Sequence, residues 1–311
     1  MSKTVFLFSG QGSQYPGMAK ELCEQFQSAY EIFRIADKIF DFDLKKICWE
    51  STDEELSKTI FSQPAIFATS LCALEAAKES GIIADAVAGH SLGEYAAMVA
   101  CGIITVEEGF MLIKARSQAM QKASENASGA MCAIIGPSAE EVENICSSID
   151  GYVLPVNYNS PSQTVIAGET ACVDKVIEIF SQQKAKAIKL NVSSAFHSKL
   201  MQSASDDFLR AINQMDINFQ KPTKNFYSNL TGSILDDFSD MPAYLAKHIV
   251  SPVRFTSELI SLNDNGYSNF IELGPNKVLT GLVKKTLKGV TAVNIENTST
   301  LEKALSSLFS E

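Results

Sequence analysis

The sequence predicts an α/β fold in which a doubly wound, parallel sheet is interrupted by a small unit with an order of its own. Three observations carry this. Short apolar runs alternate with stretches of helical periodicity on both sides of the chain's middle, the pattern of parallel strands covered by helices. The apolar run at 84–88 ends in Gly89-His90-Ser91-Leu92-Gly93 and a helical stretch follows at once, so the turn joins a strand to a helix. Residues 128–192 read β-α-β-β-α-β, the split βαβ or ferredoxin-like unit. The expected domains are therefore 1–127 together with 193–311, and 128–192 between them.

In chain order, 4–8 is a buried strand that runs into Ser9-Gly10-Gln11-Gly12-Ser13, and helical spacing follows over 17–39. Pro64 sits early in the next helix, which carries Ile66, Phe67, Leu71 and Leu74 on one face and stops at Gly81. After the strand at 84–88 and a helix over 94–100, Gly102 closes that helix. Thr105 and Glu108 then form a capping box that opens another helix to about residue 123. Within the middle unit, 130–135, 152–158, 164–167 and 186–192 are strands, with Asn159-Ser160-Pro161-Ser162 turning between the second and third. Its helices start at the Ser138/Glu141 capping box and at 171, the second running to 183. Beyond it come a helix over 198–212, a strand over 226–229 and helices over 244–249 and 257–265. A strand over 270–273 then ends in Gly274-Pro275-Asn276 before a helix over 278–286.

Composition bounds the function. With 311 residues, 46% hydrophobic and 20% charged, the chain is an ordinary globular one, which excludes collagen, coiled coil, disulfide miniprotein and long disordered tail. Lys and Arg number 26 against 36 Asp and Glu, and a net charge of -10 repels phosphate backbones, so no nucleic acid partner is expected. No apolar run is read as reaching the roughly 18–20 residues that span a bilayer, so no membrane partner is expected either. The opening residues read as a strand in preference to a signal segment. The seven cysteines are odd in number, lie mostly among apolar neighbours and show no metal-ligand spacing. They read as reduced core residues of a cytoplasmic protein, with no metal and no cofactor.

Gly89-His90-Ser91-Leu92-Gly93 matches G-x-S-x-G. A tight strand-to-helix turn leaves a serine hydroxyl exposed, and flanking glycines allow close backbone approach. The helix that starts there offers free N–H groups and the positive end of its dipole to an oxyanion. A serine nucleophile needs a base, and the chain has three histidines. His90 adjoins Ser91, so the turn directs it elsewhere as a packing residue. His197, in Ser194-Ala195-Phe196-His197-Ser198, sits at an element boundary from which it can reach a cleft, and is the preferred base. His248, after a helical stretch and before Ser251-Pro252, is the second candidate.

A separate signal lies in the helix over 105–123. Arg116 has Leu112, Ile113, Ala119 and Met120 one turn away on either side, so it faces inward. A buried guanidinium stays charged and requires an anion. From the helix alone, a bound anion, an internal salt bridge and a snorkelling stem all remain open.

Gly10-Gln11-Gly12-Ser13-Gln14, Gly89-His90-Ser91-Leu92-Gly93-Glu94, Ala195-Phe196-His197-Ser198 and Gly274-Pro275-Asn276-Lys277-Val278-Leu279 occur in order along the chain. In that order and spacing the sequence resembles, end to end, the malonyl-CoA:acyl carrier protein transacylases of fatty-acid synthesis. Close relatives are the acyltransferases of polyketide synthases, including discrete trans-acting ones. Phe8-Ser9 and Tyr15-Pro16-Gly17-Met18 look more like the polyketide branch.

The resemblance implies a hydrolase-like parallel core, Ser91 as nucleophile and His197 as base, with the imidazole oriented by a backbone carbonyl. That carbonyl corresponds to His248, before Ser251-Pro252-Val253, where relatives often carry Gln. It also implies an oxyanion hole from the N–H groups of Gln11 and Leu92, and Arg116 as the reader of the malonyl carboxylate. Phe196 resembles the malonyl-selective form of the family, and a methyl's exclusion is worth about 1–3 kcal/mol. Gln63, Asn159 and Asn276 fall at positions near the acyl pocket or its support. The implied partners are malonyl-CoA and the phosphopantetheine arm of an acyl carrier protein, docked on a basic patch: Lys184, Lys186 and Lys189, or Lys284, Lys285 and Lys288. Three rivals are weighed: a hydrolase on the same dyad, which would lack the carboxylate reader; a dinucleotide-binding oxidoreductase, for which Tyr15 replaces the third glycine; and a silent carrier-protein scaffold.

Overall fold

The computed structural model describes residues 2–126, 129–192 and 194–309, so the junctions expected at 127/128 and 192/193 touch residues outside the described ones. The chain opens with β1 (Lys3–Phe8), followed by α1 (Lys20–Gln25), α2 (Gln27–Ala36), α3 (Leu44–Glu50), α4 (Asp53–Leu56) and α5 (Thr59–Glu79). β2 (Ala86–Gly89) leads through the Ser91 turn into α6 (Gly93–Ala100), and α7 (Val106–Asn126) follows. Next come β3 (Ala130–Ile135), α8 (Ala139–Ser148), β4 (Val153–Ser160), β5 (Gln163–Gly168), α9 (Thr170–Gln182) and β6 (Lys186–Lys189). A 3-10 turn (Lys199–Met201) opens α10 (Gln202–Ile212), and then come β7 (Asn225–Ser228), β8 (Ser233–Ile234), α11 (Met241–Ile249) and α12 (Phe255–Asp264). β9 (Tyr267–Leu273), α13 (Val278–Thr286), β10 (Thr291–Ile295) and α14 (Thr298–Phe309) complete the described residues.

The larger sheet has the order β10-β9-β1-β2-β7-β8, parallel except for β8. Its register positions the site. Phe8 lies opposite Gly89 on one side and Leu273 on the other, so β1, β2 and β9 end level. The loops that carry Gln11, Ser91 and Asn276 therefore leave the same edge, the carboxyl end of a parallel sheet where ligands bind. The second sheet, β4-β5-β3-β6, is antiparallel throughout and packs α8 and α9 through Ile134, Val142, Val173, Val176 and Phe180.

Several expectations need correcting. The helix expected over 17–39 is two, because Phe26 adopts an extended backbone (φ -116°, ψ 116°) between α1 and α2. β4 continues through Asn159 and Ser160, which pair onward towards Gln163, so the turn is Pro161-Ser162 alone. β6 stops at Lys189; Leu190 still donates to the Met131 carbonyl, and Asn191 and Val192 then leave the ladder. The helix expected from 198 starts as a 3-10 turn because the Ser198 hydroxyl accepts from the Leu200 N–H. α3, α4, β8, β10 and α14 were not anticipated. One helix, α5, is long and apolar enough to cross a membrane by composition, contrary to the reading of no such run. It is apolar because it is wrapped on all sides, with 83% of its apolar window buried inside the fold.

Candidate active site

Ser91 sits between β2 and α6 with φ +53°, the left-handed region a non-glycine residue rarely occupies. The residues two positions away on either side, 89 and 93, must be glycine. A Cβ on Gly93 would stand 2.0 Å from the Phe8 carbonyl oxygen, and one on Gly89 would stand 2.1 Å from the Gly93 carbonyl carbon. The turn is thus clamped against the end of β1. The Ser91 N–H donates to Asn229 Oδ1 at 2.6 Å, and Leu92, buried, leads from Ser91 into α6.

His197 comes from the turn before the 3-10 segment, also with positive φ (+61°). Its Nε2 lies 2.7 Å from Ser91 Oγ. Its Nδ1 lies 3.1 Å from the His248 carbonyl oxygen and 3.0 Å from that of Ser251. Two carbonyls only accept, so Nδ1 carries the proton and Nε2 offers its lone pair to the serine hydroxyl. Burial, with the Arg116 charge, pushes His197 down to about 3, which keeps the ring neutral. The His248 ring does not reach Ser91. It bonds Asn229 Oδ1 at 3.2 Å, so His248 contributes its carbonyl, freed at the end of α11, and its candidacy as base is corrected.

Arg116 is 1% exposed on α7, with its guanidinium 5.5 Å from the Tyr95 ring centroid and its Nη2 3.3 Å from Ser91 Oγ. Its Nε has no partner, and no ion pair is formed by it among the described residues. Burial lowers its pKa, as a charge held away from water requires. Neither the snorkelling stem nor the internal salt bridge describes it: the group is deep, cationic and short of acceptors.

A cavity of about 240 Å³ opens on these three groups, walled by Gln11, His90, Met120, Met131, Asn157, Leu190, Val192 and Phe196 among others. Gln11 and Phe196 both line this cavity. Gln63 lies buried beneath the wall, its Nε2 3.3 Å from Met120 Sδ and its Oε1 without a partner. Asn159 is off the wall, holding His90 Nε2 at 2.8 Å; the asparagine of β4 that faces the cavity is Asn157. Asn276 braces the Gln11 loop from outside: its Nδ2 donates to the Ser13 carbonyl at 2.8 Å, and its N–H to Glu296 Oε2 at 2.8 Å.

Missed altogether was a buried polar cluster behind the turn: Glu94, Asn229, Tyr244 and Glu258 around His248. Burial raises Glu94 to about 8 and holds Glu258 well above the carboxylate range, while it lowers His248. The 3.6 Å approach of His248 to Glu94 is therefore one of neutral groups. The signal that could have found it is Glu94 itself, the residue after Gly93, on an inward helix face among Tyr95, Ala96 and Ala97.

Residues 5–303 match the acyl transferase domain. Curated relatives include a malonyl CoA-acyl carrier protein transacylase of Bacillus subtilis (strain 168), 38% identical over 315 residues that cover 100% of this chain and 99% of the relative. Another, of Staphylococcus aureus (strain MSSA476), is 34% identical over 300 residues, 95% of this chain and 96% of the relative. Among solved structures, the malonyl CoA-acyl carrier protein transacylase of Clostridium perfringens superposes with a TM-score of 0.93 at 36% identity, covering 99% of this chain and 97% of that one. A malonyl-transacylase in complex with its type II polyketide synthase acyl-carrier protein gives 0.92 at 33% identity, covering 98% and 100%.

Proposed function

The chain belongs to the malonyl CoA-acyl carrier protein transacylases of the acyl transferase domain family, and on that premise we propose that it moves a malonyl group from malonyl-CoA to the phosphopantetheine thiol of an acyl carrier protein. The observation that carries the reading is the Arg116 guanidinium, buried and without an anion, 3.3 Å from a serine hydroxyl that is itself 2.7 Å from a neutral imidazole. The site is built for an electrophile with a carboxylate at its far end.

The steps follow from the atoms. His197 Nε2 takes the Ser91 proton as Oγ adds to the thioester carbonyl, and the thioester oxygen becomes an oxyanion. The family resemblance assigns that oxyanion to the N–H groups of Leu92 and Gln11, and the Ser91 N–H, already bonded to Asn229, is not needed for it. The C–S bond breaks, His197 returns the proton to the leaving thiolate, and CoA departs from a malonyl-serine ester. The carrier thiol then gives its proton to His197 and attacks the ester, and Ser91 is released with that proton. Throughout, Arg116 holds the malonyl carboxylate and the His248 and Ser251 carbonyls hold the imidazole in its tautomer.

The same reading takes 1–127 with 193–311 as a hydrolase-like catalytic unit and 128–192 as a ferredoxin-like one, which the strand order β4-β5-β3-β6 supports. Carrier docking falls on Lys184, Lys186 and Lys189, since β6 runs directly into the cavity wall at Leu190. The seven buried, unbridged cysteines support a cytoplasmic setting, in fatty-acid or polyketide synthesis. Intact-mass measurement after mixing with malonyl-CoA tests the core of it. A malonyl adduct on the wild type and none on Ser91→Ala is expected; an adduct that persists on Ser91→Ala refutes Ser91 as nucleophile.

A further inference from the structure

Asn229 lies 138 residues from Ser91 in sequence, in the turn after β7, yet it bonds Gly89 and Ser91 of that turn and Glu94 just beyond it. Its Oδ1 accepts the Ser91 N–H at 2.6 Å. Its Nδ2 donates to the Gly89 carbonyl at 2.6 Å and to Glu258 Oε1 at 2.6 Å. Its own N–H donates to Glu94 Oε1 at 2.6 Å, which ties in the first turn of α6. The His248 Nε2 approaches the same Oδ1 at 3.2 Å. One fully buried side chain therefore grips the residues on both sides of His90 and the ring of the residue whose carbonyl orients His197.

From this geometry we propose that Asn229 is the positioning residue that fixes the Ser91–His197 pair, a role that rests on the dyad reading above. The physical case is that Ser91 has an unfavourable backbone conformation and needs its surroundings to over-determine it. The left-handed φ at Ser91, with a glycine two residues away on either side, is over-determined when the Ser91 N–H and the Gly89 carbonyl are both held. An asparagine amide is the side chain that meets both demands, with an acceptor for the Ser91 N–H and a donor for the Gly89 carbonyl about two ångströms apart on one rigid plane. The bond to His248 links the nucleophile's backbone to the base's orienting carbonyl, so a shift in one is felt by the other. Glu258 and Glu94 fix the rotamer and the backbone of Asn229 in turn. The residue touches neither substrate nor reacting atoms; it acts through Ser91 and His248.

The test is single-turnover formation of the malonyl-enzyme, followed by rapid-quench mass spectrometry for wild type, Ser91→Ala, Asn229→Ala and Asn229→Asp, with a melting temperature for each. Asn229→Ala should lose about 10²-fold in acylation rate, the scale of a small misplacement of reacting groups, with the malonyl-CoA concentration for half-maximal rate changed less than about threefold. Asn229→Asp keeps the acceptor on the Ser91 N–H and should recover part of that loss, although it sets a third carboxyl between Glu94 and Glu258. Acylation of a folded Asn229→Ala at the wild-type rate overturns the proposal. So do rates that merely track the melting temperatures, and so does failure of both variants to fold, which assigns Asn229 to the fold alone. An adduct that survives in Ser91→Ala sinks the dyad itself, whereas its loss there with unimpaired Asn229 variants sinks only the positioning role.

Discussion

Replacement of Arg116 by alanine separates recognition of the acyl group from the chemistry at Ser91. The guanidinium is 1% exposed, forms no ion pair among the described residues, and has its Nε free and one Nη at 3.3 Å from the nucleophile. A carboxylate that enters the cavity accepts two charge-assisted hydrogen bonds from such a fork, each worth about 1.5–3 kcal/mol. At 1.36 kcal/mol per decade, a combined ~3–6 kcal/mol corresponds to roughly 10²–10⁴ in kcat/KM for malonyl-CoA. Acetyl-CoA carries a hydrogen where malonyl-CoA carries its carboxylate, so its slow transfer loses no contact and should not fall. Arg116→Lys keeps the charge but not the planar fork, and should fall between the two. The assay is transfer to a carrier protein under subsaturating thioester, with malonyl-CoA and acetyl-CoA run in parallel. Equal loss for both substrates would refute the argument, because it would make Arg116 a support for Ser91 instead of a reader of the substrate.

Two further outcomes follow from burial and charge. His197 is held at about 3, below its ordinary 6.5, so kcat/KM for acylation should stay level from pH 8 down to about pH 5; a fall centred near 6.5 in stopped-flow acylation would contradict it. Glu94 is raised to about 8 in the fold against 4.5 unfolded, so the stability it confers is present below pH 4.5 and lost as pH rises through about 8. Melting temperatures should accordingly fall for the wild type from pH 5 to about 8 and level off above it, and lose that slope for Glu94→Gln; identical slopes would show that Glu94 does not titrate in this window.

The catalytic turn was legible in the sequence because its chemistry is local. Gly89, Ser91 and Gly93 are within five residues, and the two contacts that demand glycine are made with the backbone of the adjacent strand and with the turn itself. Arg116 was legible for a related reason: helical period alone set it among Leu112, Ile113, Ala119 and Met120. Asn229 was not, since its meaning lies in a parallel pairing of β7 with β2 that no short pattern encodes, and an asparagine before Leu-Thr-Gly reads as an ordinary turn residue. β10 and α14 escaped because Thr291–Ile295 alternates weakly and Thr298 opens its helix with three hydroxyl residues in the first four. The resemblance set Asn159 near the acyl pocket; its side chain holds His90, a wall residue, while Asn157 of the same strand lines the cavity itself.

The arrangement also sets Arg116 in opposition to the base it sits beside. Burial is the largest cause of the low His197 pKa, and the Arg116 charge is the next. In the empty cavity that charge makes the imidazole a poor proton acceptor, because protonation would place two cations in a dry space with no anion between them. A malonyl carboxylate on the guanidinium cancels most of that repulsion at the moment when Ser91 must lose its proton. On the proposed mechanism the substrate raises the basicity of His197, the residue that takes the Ser91 proton, and an acyl group with no carboxylate leaves that base suppressed. On the same reading, selectivity for the charged acyl group arises twice, once in binding and once in the proton transfer, from a single buried cation. Water meets the same suppressed base when the cavity holds no carboxylate. That is the physical reason for a site that leaves an arginine unpaired at the cost of its desolvation, where a buried Glu–Arg pair would have been the more stable core.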